Sequence, residues 1–525
     1  MTILHKINRF KWVSTQACIA QIAMILVATW VPTVAESQIT SAAVSTLQLP
    51  NLGDASSMSA SAERRLGDRI ARELYRDPDY LDDPVIMEYV QAIWQPLLAA
   101  ARLRGELPAE IDSAFAWEIL LGRDRTVNAF ALPGAYLGLH LGLVGVVSSR
   151  DELASVLAHE MSHVTQRHIS RLISRQSSMA PWVMGAMILG VLAASKSPGA
   201  ANAMIVGGQA AAAQSQLNFS RDMEREADRM GFGVLSQAGF EPQGFVSMFE
   251  KLQQASRLND SGGFPYLRSH PLTTERMADM QSRMPQGNPG VSPLVPVPAD
   301  WVHAMVSARA RVLSNANVDG LRAWSAQVAP AELVKLTTPA QVAALYGATL
   351  AALKLREYAA AQATWSRLDG LTRNNAAAAR TTALLGAELA LAQGAPTRVQ
   401  TLLQGLPDTD RAVLFLHAQA GIALGKVEPV AQALQAWLAD RPSDAQAWQW
   451  LAQADTARGK AVAGIRAQAE ASVAQLDYAA ALEQLKAAQN MARQSAGAAD
   501  HIEASILDTR TRQVELLLRE QAVER

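Results

Sequence analysis

The 525-residue sequence contains one cysteine, Cys18, which lies in an apolar stretch near the N-terminus. A single cysteine cannot form an intramolecular disulfide, and it excludes a zinc knuckle built from several thiolates. Any metal bound by this chain must therefore be held by histidine and carboxylate side chains. The formal net charge is only −1. Because nucleic-acid binding needs a concentrated basic face, the sequence predicts no nucleic-acid partner.

The N-terminus has the pattern of an export signal. Three basic residues lie within the first eleven positions, an apolar run follows over 17–34, and small residues end at Ala35. We therefore interpret 1–35 as a signal peptide and expect a periplasmic protein. An uncleaved membrane anchor is the alternative, because the apolar run is nearly long enough to span a bilayer.

Composition divides the rest of the chain. Residues 36–60 are rich in Ser, Ala and Thr and are interpreted as a linker, and amphipathic helical spacing begins near Ser61. The Pro-rich segment 286–300 cannot continue a helix. We therefore predict one domain over 61–285 and a second over 301–525.

The predicted second domain has helical spacing rich in Ala, Leu and Gln. Its breaks at Gly394, Gly425 and Gly459 are 31 and 34 residues apart, near the 34-residue period of tetratricopeptide repeats. Such repeats stack helix pairs into a concave surface that binds proteins. A plain Ala-rich helical bundle is the alternative.

A second apolar stretch, 180–213, is dominated by Ala, Gly, Met and Val. Its two arms are shorter than a usual membrane span, and Lys196 and Pro198 interrupt them. We interpret it as a packed helical hairpin, with peripheral contact to a membrane as the alternative.

The most informative motif is His-Glu-x-x-His at 159–163. Residues four apart lie on one face of a helix, so both imidazoles can reach one ion. Glu160 is rotated round the helix from His159, so its carboxylate can reach a water on the metal rather than the metal. Zinc lowers the pKa of such a water to about 7, which suits a carboxylate general base. A capping box at Ser149 predicts the start of this helix.

A catalytic zinc usually has three protein ligands, so a third is needed. His168 stands one position too early for a zincin with a third downstream histidine, and we interpret it as a surface or core residue. The helical segment 221–228 offers Glu224 and Asp228 on one face, whereas Glu226 points elsewhere. One member of the pair could bind zinc while the other hydrogen-bonds a ligand histidine. A solvated charged helix is the alternative.

Several segments carry a resemblance to a known family. They are Asn128–Gly134, the motif at 159–163, Ser220–Asp228, and His270-Pro271 with Arg276. On these residues the chain resembles the HtpX and CAAX-prenyl endopeptidase family of zinc peptidases, especially its soluble periplasmic members with a C-terminal tetratricopeptide domain. The resemblance is strong over about 60–290 and covers the C-terminal half in architecture only.

The resemblance implies one Zn²⁺ per chain, held by His159, His163 and Glu224, with Asp228 behind the ligands. The strand around 128–132 would border the cleft, where an edge strand can pair with an extended substrate.

The same resemblance places His270 and Arg276 near the metal. There they could stabilise the oxyanion that develops during peptide hydrolysis. Alternatively, a neutral His270 could take the open zinc position and act as a latch on activity.

We therefore predict an α+β fold, in which a mostly helical zincin domain of the gluzincin type precedes an all-α domain of tetratricopeptide-like repeats. The expected activity is that of an exported zinc endopeptidase with Glu160 as general base. By resemblance, its substrates would be misassembled outer-membrane proteins, and the repeat domain would dock it to the outer-membrane assembly machinery. The alternative is a chaperone or adaptor that acts through the repeat domain, with proteolysis minor or latched.

Overall fold

The computed structural model describes residues 58–175, 220–258, 264–284, 300–494 and 500–523. The predicted signal peptide, the apolar segment 180–213 and most of both predicted linkers lie outside the described residues. Among the helices that are described, none combines the length and the apolar character needed to cross a bilayer.

Up to residue 284, helices surround a small sheet. The strands are β1 (Tyr80–Leu81), β2 (Glu118–Gly122), β3 (Ala129–Leu132) and β4 (Tyr136–His140). The helices are α1 (Ala60–Tyr75), α2 (Pro84–Leu103), α3 (Ala109–Ala114), α4 (Leu141–Val146), α5 (Arg150–Thr165), α6 (His168–Arg175), α7 (Arg221–Gln237), α8 (Gln243–Leu258), α9 (Tyr266–Ser269) and α10 (Thr274–Arg283).

Among the described strands the sheet has the order β1-β2-β4-β3, so β3 lies at one edge of it. β2 and β4 run parallel, whereas the two outer pairs are antiparallel. The backbone N–H of His140 donates to the carbonyl of Asn128 (3.1 Å). Since backbone groups alternate in direction along an antiparallel strand, those of Ala129 and Ala131 point away from β4, towards the edge. The strand expected to border the cleft is thus an edge strand.

The neighbouring elements limit two of the strands. β2 begins only at Glu118, because α3 extends to Ala114 and Trp117 has a left-handed φ of 52°. β4 ends at His140, because α4 begins at the next residue.

Side-chain caps define the starts of the helices that matter for the site. The carboxylate of Asp83 accepts the N–H of Ile86 (2.9 Å) at the start of α2. Ser149 Oγ accepts the N–H of Glu152 (3.1 Å), and the carboxylate of Glu152 accepts the N–H of Ser148 (2.6 Å). This reciprocal cap fixes the first turn of α5, as the sequence predicted.

From residue 300 onwards the described chain is entirely helical. Its helices are α11 (Trp301–Ser314), α12 (Val318–Gln327), α13 (Pro330–Leu333), α14 (Thr338–Lys354), α15 (Tyr358–Thr372), α16 (Ala376–Ala392), α17 (Pro396–Leu402), α18 (Arg411–Ala423), α19 (Val427–Asp440), α20 (Ala445–Ala457), α21 (Ala461–Ala474), α22 (Tyr478–Gln494) and α23 (Asp500–Val523). The predicted fold class is therefore confirmed, while the assignment of these helices as tetratricopeptide repeats stays a prediction.

The three glycines that mark the predicted repeat follow the ends of α16, α18 and α20. Gly394, Gly425 and Gly459 have φ values of 70°, 71° and 76°. After each, the next N–H bonds back to a carbonyl five residues earlier, as from Lys426 to Gly421 (2.8 Å). A left-handed residue is needed to close a helix in this way, and glycine adopts it without a Cβ clash.

The helical region packs directly on the earlier part of the chain. Residues of α11 and α14 belong to the same apolar core cluster as those of α2, the sheet and α5. Arg309 of α11 is buried and donates through Nε and Nη2 to the carboxylate of Asp83 (2.7–3.0 Å). Arg411 of α18 reaches Asp82 in the same loop (2.6 Å). Apolar contacts therefore join α11 and α14 to the core of the earlier part, and ion pairs join α11 and α18 to the segment before α2.

Candidate metal centre

Helix α5 carries both histidines of the His-Glu-x-x-His motif on its buried face. The side chains of His159 and His163 are almost fully buried, and their Nε2 atoms lie 3.0 Å apart. Burial lowers the pKa of His163 well below its ordinary value, so its ring is neutral. A neutral imidazole is the form that binds a metal ion.

Helix α7 brings the carboxylate. α7 packs against α5, and at Gly231 a Cβ atom would lie only 3.1 Å from Ala158 O and His159 N. This close approach places Glu224 Oε2 3.5 Å from His159 Nε2, and Glu224 Oε1 3.5 Å from His163 Nε2. Zinc holds such ligands at about 2.0–2.1 Å in a tetrahedron, whose edge is then roughly 3.3 Å. The observed separations of 3.0–3.5 Å are close to that edge length, and Glu224 faces the two histidines through different oxygens.

His270 supplies a fourth donor atom. Its Nδ1 lies 3.3 Å from His159 Nε2 and 3.0 Å from Glu224 Oε1. Donor atoms of all four side chains fall within 4.8 Å of one another. His270 follows α9, where its N–H donates to Tyr266 O (2.9 Å) and its ring stacks on that of Tyr266 at 4.6 Å. The short helix α9 therefore holds the ring of His270 against the other three ligands.

Asp228 and Arg276 stand behind the ligands. Asp228 Oδ1 lies 3.0 Å from His159 Nδ1, the nitrogen that faces away from the cluster. Arg276 donates to both oxygens of Asp228 (2.6 and 2.8 Å), and its Nη1 lies 2.8 Å from Glu224 Oε2. Burial alone would raise the pKa of Asp228, but the hydrogen bonds from Arg276 and His159 outweigh it and hold that pKa below its ordinary value. The carboxylate therefore stays ionised, and it can orient the ring of His159.

Glu160 faces the edge strand. Its Oε2 accepts the N–H of Ala131 (2.9 Å), and its Oε1 lies 3.4 Å from His270 Nε2. The side chain is fully buried, and this burial raises its pKa above the ordinary value. A carboxylate with a raised pKa next to a metal site is a better proton acceptor than one in water.

Comparison with known proteins agrees with this geometry. The family model described as Peptidase family M48 matches residues 88–284. The chain is 30% identical over 469 residues to the beta-barrel assembly-enhancing protease of Escherichia coli K12, covering 88% of this chain and 92% of that protein. It is 32% identical over 327 residues to the putative beta-barrel assembly-enhancing protease of Vibrio cholerae, covering 61% of this chain and 63% of that one. The chain belongs to peptidase family M48. It is a zinc metalloendopeptidase by that membership, and the resemblance found in the sequence is confirmed.

A more distant relative aligns with a smaller share of this M48 chain. The mitochondrial metalloendopeptidase OMA1 of Saccharomyces cerevisiae is 27% identical over 204 residues, which cover 38% of this chain and 56% of that protein.

The structure brings together every site residue proposed from the sequence of this M48 peptidase. The three predicted ligands lie within 3.5 Å of one another, Asp228 lies against His159, and Glu160 lies beside the edge strand. Arg276 differs from one expectation, because its side chain points to Asp228, Glu224 and Pro271 O (2.9 Å). That geometry suits the positioning of carboxylates better than contact with an oxyanion.

Two residues that lie beside this M48 centre were not predicted from the sequence to belong to it. His168 is a core residue, one of the two outcomes expected, but its Nδ1 lies 2.8 Å from Nδ1 of the ligand His163. Glu226, expected to point elsewhere, lies 3.0 Å from His168 Nε2. Burial lowers the pKa of His168 to about 4, so its ring is neutral at pH 7. The available signal was the presence of a third histidine just beyond the motif, at a spacing that did not fit a ligand.

Proposed function

We propose that this M48 peptidase is an exported endopeptidase that hydrolyses protein substrates with Glu160 as general base and His159, His163 and Glu224 as the zinc ligands. The observation that carries the proposal is the close approach of the three ligand side chains, at 3.0–3.5 Å, with Glu160 beside them but outside the set. When bound, zinc would lower the pKa of a water and polarise the scissile carbonyl.

The chain's own residues would perform the remaining steps. An extended substrate would add to β3 at the edge of the sheet, towards which the backbone groups of Ala129 and the carbonyl of Ala131 are directed, while the N–H of Ala131 bonds to Glu160. Glu160 would take a proton from the attacking water and hand it to the leaving nitrogen. Asp228 and Arg276 would keep the ring of His159 and the carboxylate of Glu224 in place.

The substrates are proposed to be outer-membrane proteins in assembly or quality control. Support comes from the two relatives named for beta-barrel assembly, one of which aligns with 88% of this chain. This proposal agrees with the export signal expected at 1–35 and with a periplasmic location. We expect the all-helical region to contact the substrates or the outer-membrane assembly machinery, since arrays of helix pairs present extended protein-binding surfaces.

His270 is proposed to act as a latch. A catalytic zinc site keeps one position open for water or substrate. Nδ1 of His270 lies 3.0–3.3 Å from two ligand atoms, and its Nε2 lies 3.4 Å from Glu160 Oε1. In this arrangement the ring stands where water and substrate must enter. Cleavage would therefore require His270 and the short helix α9 to move away.

The same closure favours a second candidate function. A latched peptidase could act mainly as a chaperone or adaptor through its helical region. Deletion of 301–525 is a poor test of this idea, because α11 and α14 share an apolar core with the peptidase part. A change confined to Glu160 keeps the full chain and separates binding from cleavage.

The test is Glu160→Gln in the full-length protein, with zinc content, substrate binding and cleavage of an unfolded outer-membrane β-barrel protein measured in parallel. We expect zinc content and binding to be kept and cleavage to fall by about 10²–10⁴-fold, the usual contribution of a general base. The change is made also in a His270→Ala background, so that a closed site does not hide the loss. Cleavage at the parent rate in both backgrounds would refute the role of Glu160. Normal assembly of outer-membrane proteins in cells that carry only the Glu160→Gln variant would favour the chaperone function.

A further inference from the structure

The two ligand histidines of α5 are held from behind in different ways. His159 presents its outer nitrogen, Nδ1, to the carboxylate of Asp228 at 3.0 Å. His163 presents its Nδ1 to another imidazole, that of His168, at 2.8 Å. A carboxylate is also present behind His163, but it contacts His168 instead of the ligand: Glu226 Oε2 lies 3.0 Å from His168 Nε2.

We propose that His168 is a positioning residue for the zinc ligand His163, and that Glu226 fixes the tautomer of His168 that this role requires. The inference rests on the proposed ligand set and adds two residues to it. We call the series His163, His168 and Glu226 the relay.

Coordination of zinc by His163 decides which nitrogen atoms of the relay carry protons. A histidine that coordinates through Nε2 carries its proton on Nδ1, so His163 must donate to His168. His168 Nδ1 must then accept, which places the proton of its neutral ring on Nε2. That nitrogen faces Glu226, and a carboxylate is purely an acceptor. The three side chains are therefore ordered with one donor and one acceptor at each contact.

Neighbouring residues fix the positions of His168 and Glu226 in the relay. Arg167, between α5 and α6, has a left-handed φ of 52°, which turns the chain so that His168 lies back against His163. Arg171 Nη2 holds Glu226 Oε2 at 2.6 Å. Glu226 belongs to α7, as do Glu224 and Asp228. One helix thus supplies a ligand and the carboxylates that stand behind both histidines.

The test measures zinc affinity of the full-length protein by competition with a chromogenic chelator, together with the melting temperature of the metal-free protein. Removal of a group that orients a metal ligand typically weakens metal binding by about 10–100-fold, and we expect this for His168→Leu. His168→Asn should keep a zinc affinity within a few-fold of that of the parent, because the amide oxygen can accept the hydrogen bond from His163 Nδ1.

His303→Leu is the matched control, since His303 is also buried and bonds to Tyr89 OH (2.7 Å) and Val147 O (2.9 Å), in contacts that involve no zinc ligand. It should lower the melting temperature and leave zinc affinity unchanged.

A second variant covers the case in which His168→Leu does not fold. The side chain of Glu226 is 38% exposed, so Glu226→Leu leaves no buried cavity. Without its acceptor, His168 no longer prefers the required tautomer, and zinc affinity should fall about tenfold. Glu275→Leu, an exposed acid on α10, is the control and should have no effect.

The outcomes separate this inference from the proposed function. Parent-like zinc affinity in both His168→Leu and Glu226→Leu would overturn the relay and leave the ligand set intact. If His168→Asn weakens zinc binding as much as His168→Leu does, His168 has a merely structural role. The same conclusion follows if His303→Leu weakens zinc binding as much as His168→Leu does. A parent protein that takes up no zinc would instead overturn the proposed function.

Discussion

Nδ1 of His270 lies 3.0 Å from Oε1 of Glu224, within the set of atoms that is expected to hold zinc. A nitrogen in this position competes with water for the ion. The contact between His270 and Glu224 therefore predicts a low basal rate of cleavage. We expect His270→Ala to raise the basal rate of cleavage by about tenfold or more, if the open state of the parent is populated at about 10% or less. The measurement is the initial rate on an unfolded outer-membrane protein at fixed zinc.

The control for this prediction is Ser269→Ala, which alters the same segment but not the imidazole. Ser269 Oγ donates to Tyr266 O (3.3 Å), so the change disturbs α9 slightly and should leave the rate near that of the parent. A lower rate in His270→Ala would contradict the latch and assign His270 to the stabilisation of the oxyanion.

The buried contact between Arg276 and Asp228 leads to a second prediction. Removal of one partner from a buried ion pair leaves the other charge uncompensated and costs about 3–5 kcal/mol. We expect Arg276→Met to lower the free energy of unfolding of the metal-free protein by about that amount and to weaken zinc binding. Arg276→Lys should recover only part of the loss, because one ammonium group cannot replace the paired bonds to Asp228. Denaturant unfolding and zinc titration check both expectations.

The oxyanion role predicts a different result for the same variants. If Arg276 touched the reacting carbonyl and held nothing in the resting enzyme, Arg276→Met would keep stability and zinc affinity and lose only kcat.

Local sequence signals predicted most of the metal centre. The i, i+4 spacing of His159 and His163, and of Glu224 and Asp228, requires only helices, and both helices have capping residues in the sequence. The strand at 129–132 was expected from the family resemblance, and the Pro133-Gly134 turn that follows it is a local signal. What brings α7 onto α5 is a close helix contact at Gly231, and residue spacing alone does not predict such a contact.

The residues that the sequence left open depend on tertiary contacts. His168 was set aside because its spacing does not suit a ligand, yet the left-handed turn at Arg167 brings it against His163. Arg276 was expected to stabilise the oxyanion, and its contacts with Asp228 and Glu224 had no local signal, since both partners lie about fifty residues earlier in the chain. The contacts of Arg309 and Arg411 with the segment before α2 had no local signal in the sequence either.

The ion pair between Arg309 and Asp83 predicts coupling of the helical region to the peptidase part. Arg309 is buried, and it also lies 2.9 Å from Glu388 and donates to Tyr346 OH (3.1 Å). We expect Arg309→Met to lower the free energy of unfolding by about 3–5 kcal/mol.

Arg373→Met is the control, because Arg373 and its partner Asp369 are exposed and 3.9 Å apart. Such a surface pair contributes about 0–1 kcal/mol. Equal effects of the two variants in denaturant unfolding would contradict a special role for Arg309 at this contact.

Removal of zinc gives the most direct test of the ligand set. An ion that binds only the folded state stabilises it by RT ln(1 + [L]/Kd), or about 4 kcal/mol when free zinc is about 1,000-fold above Kd. We therefore expect a chelator to lower the melting temperature of the parent and added zinc to restore it, whereas magnesium should not. Glu224→Ala lacks one proposed ligand, so its melting temperature should change little between chelator and the same zinc concentration. If Glu224→Ala responds to zinc as the parent does, Glu224 is not a ligand, and the carboxylate that completes the site must be sought elsewhere.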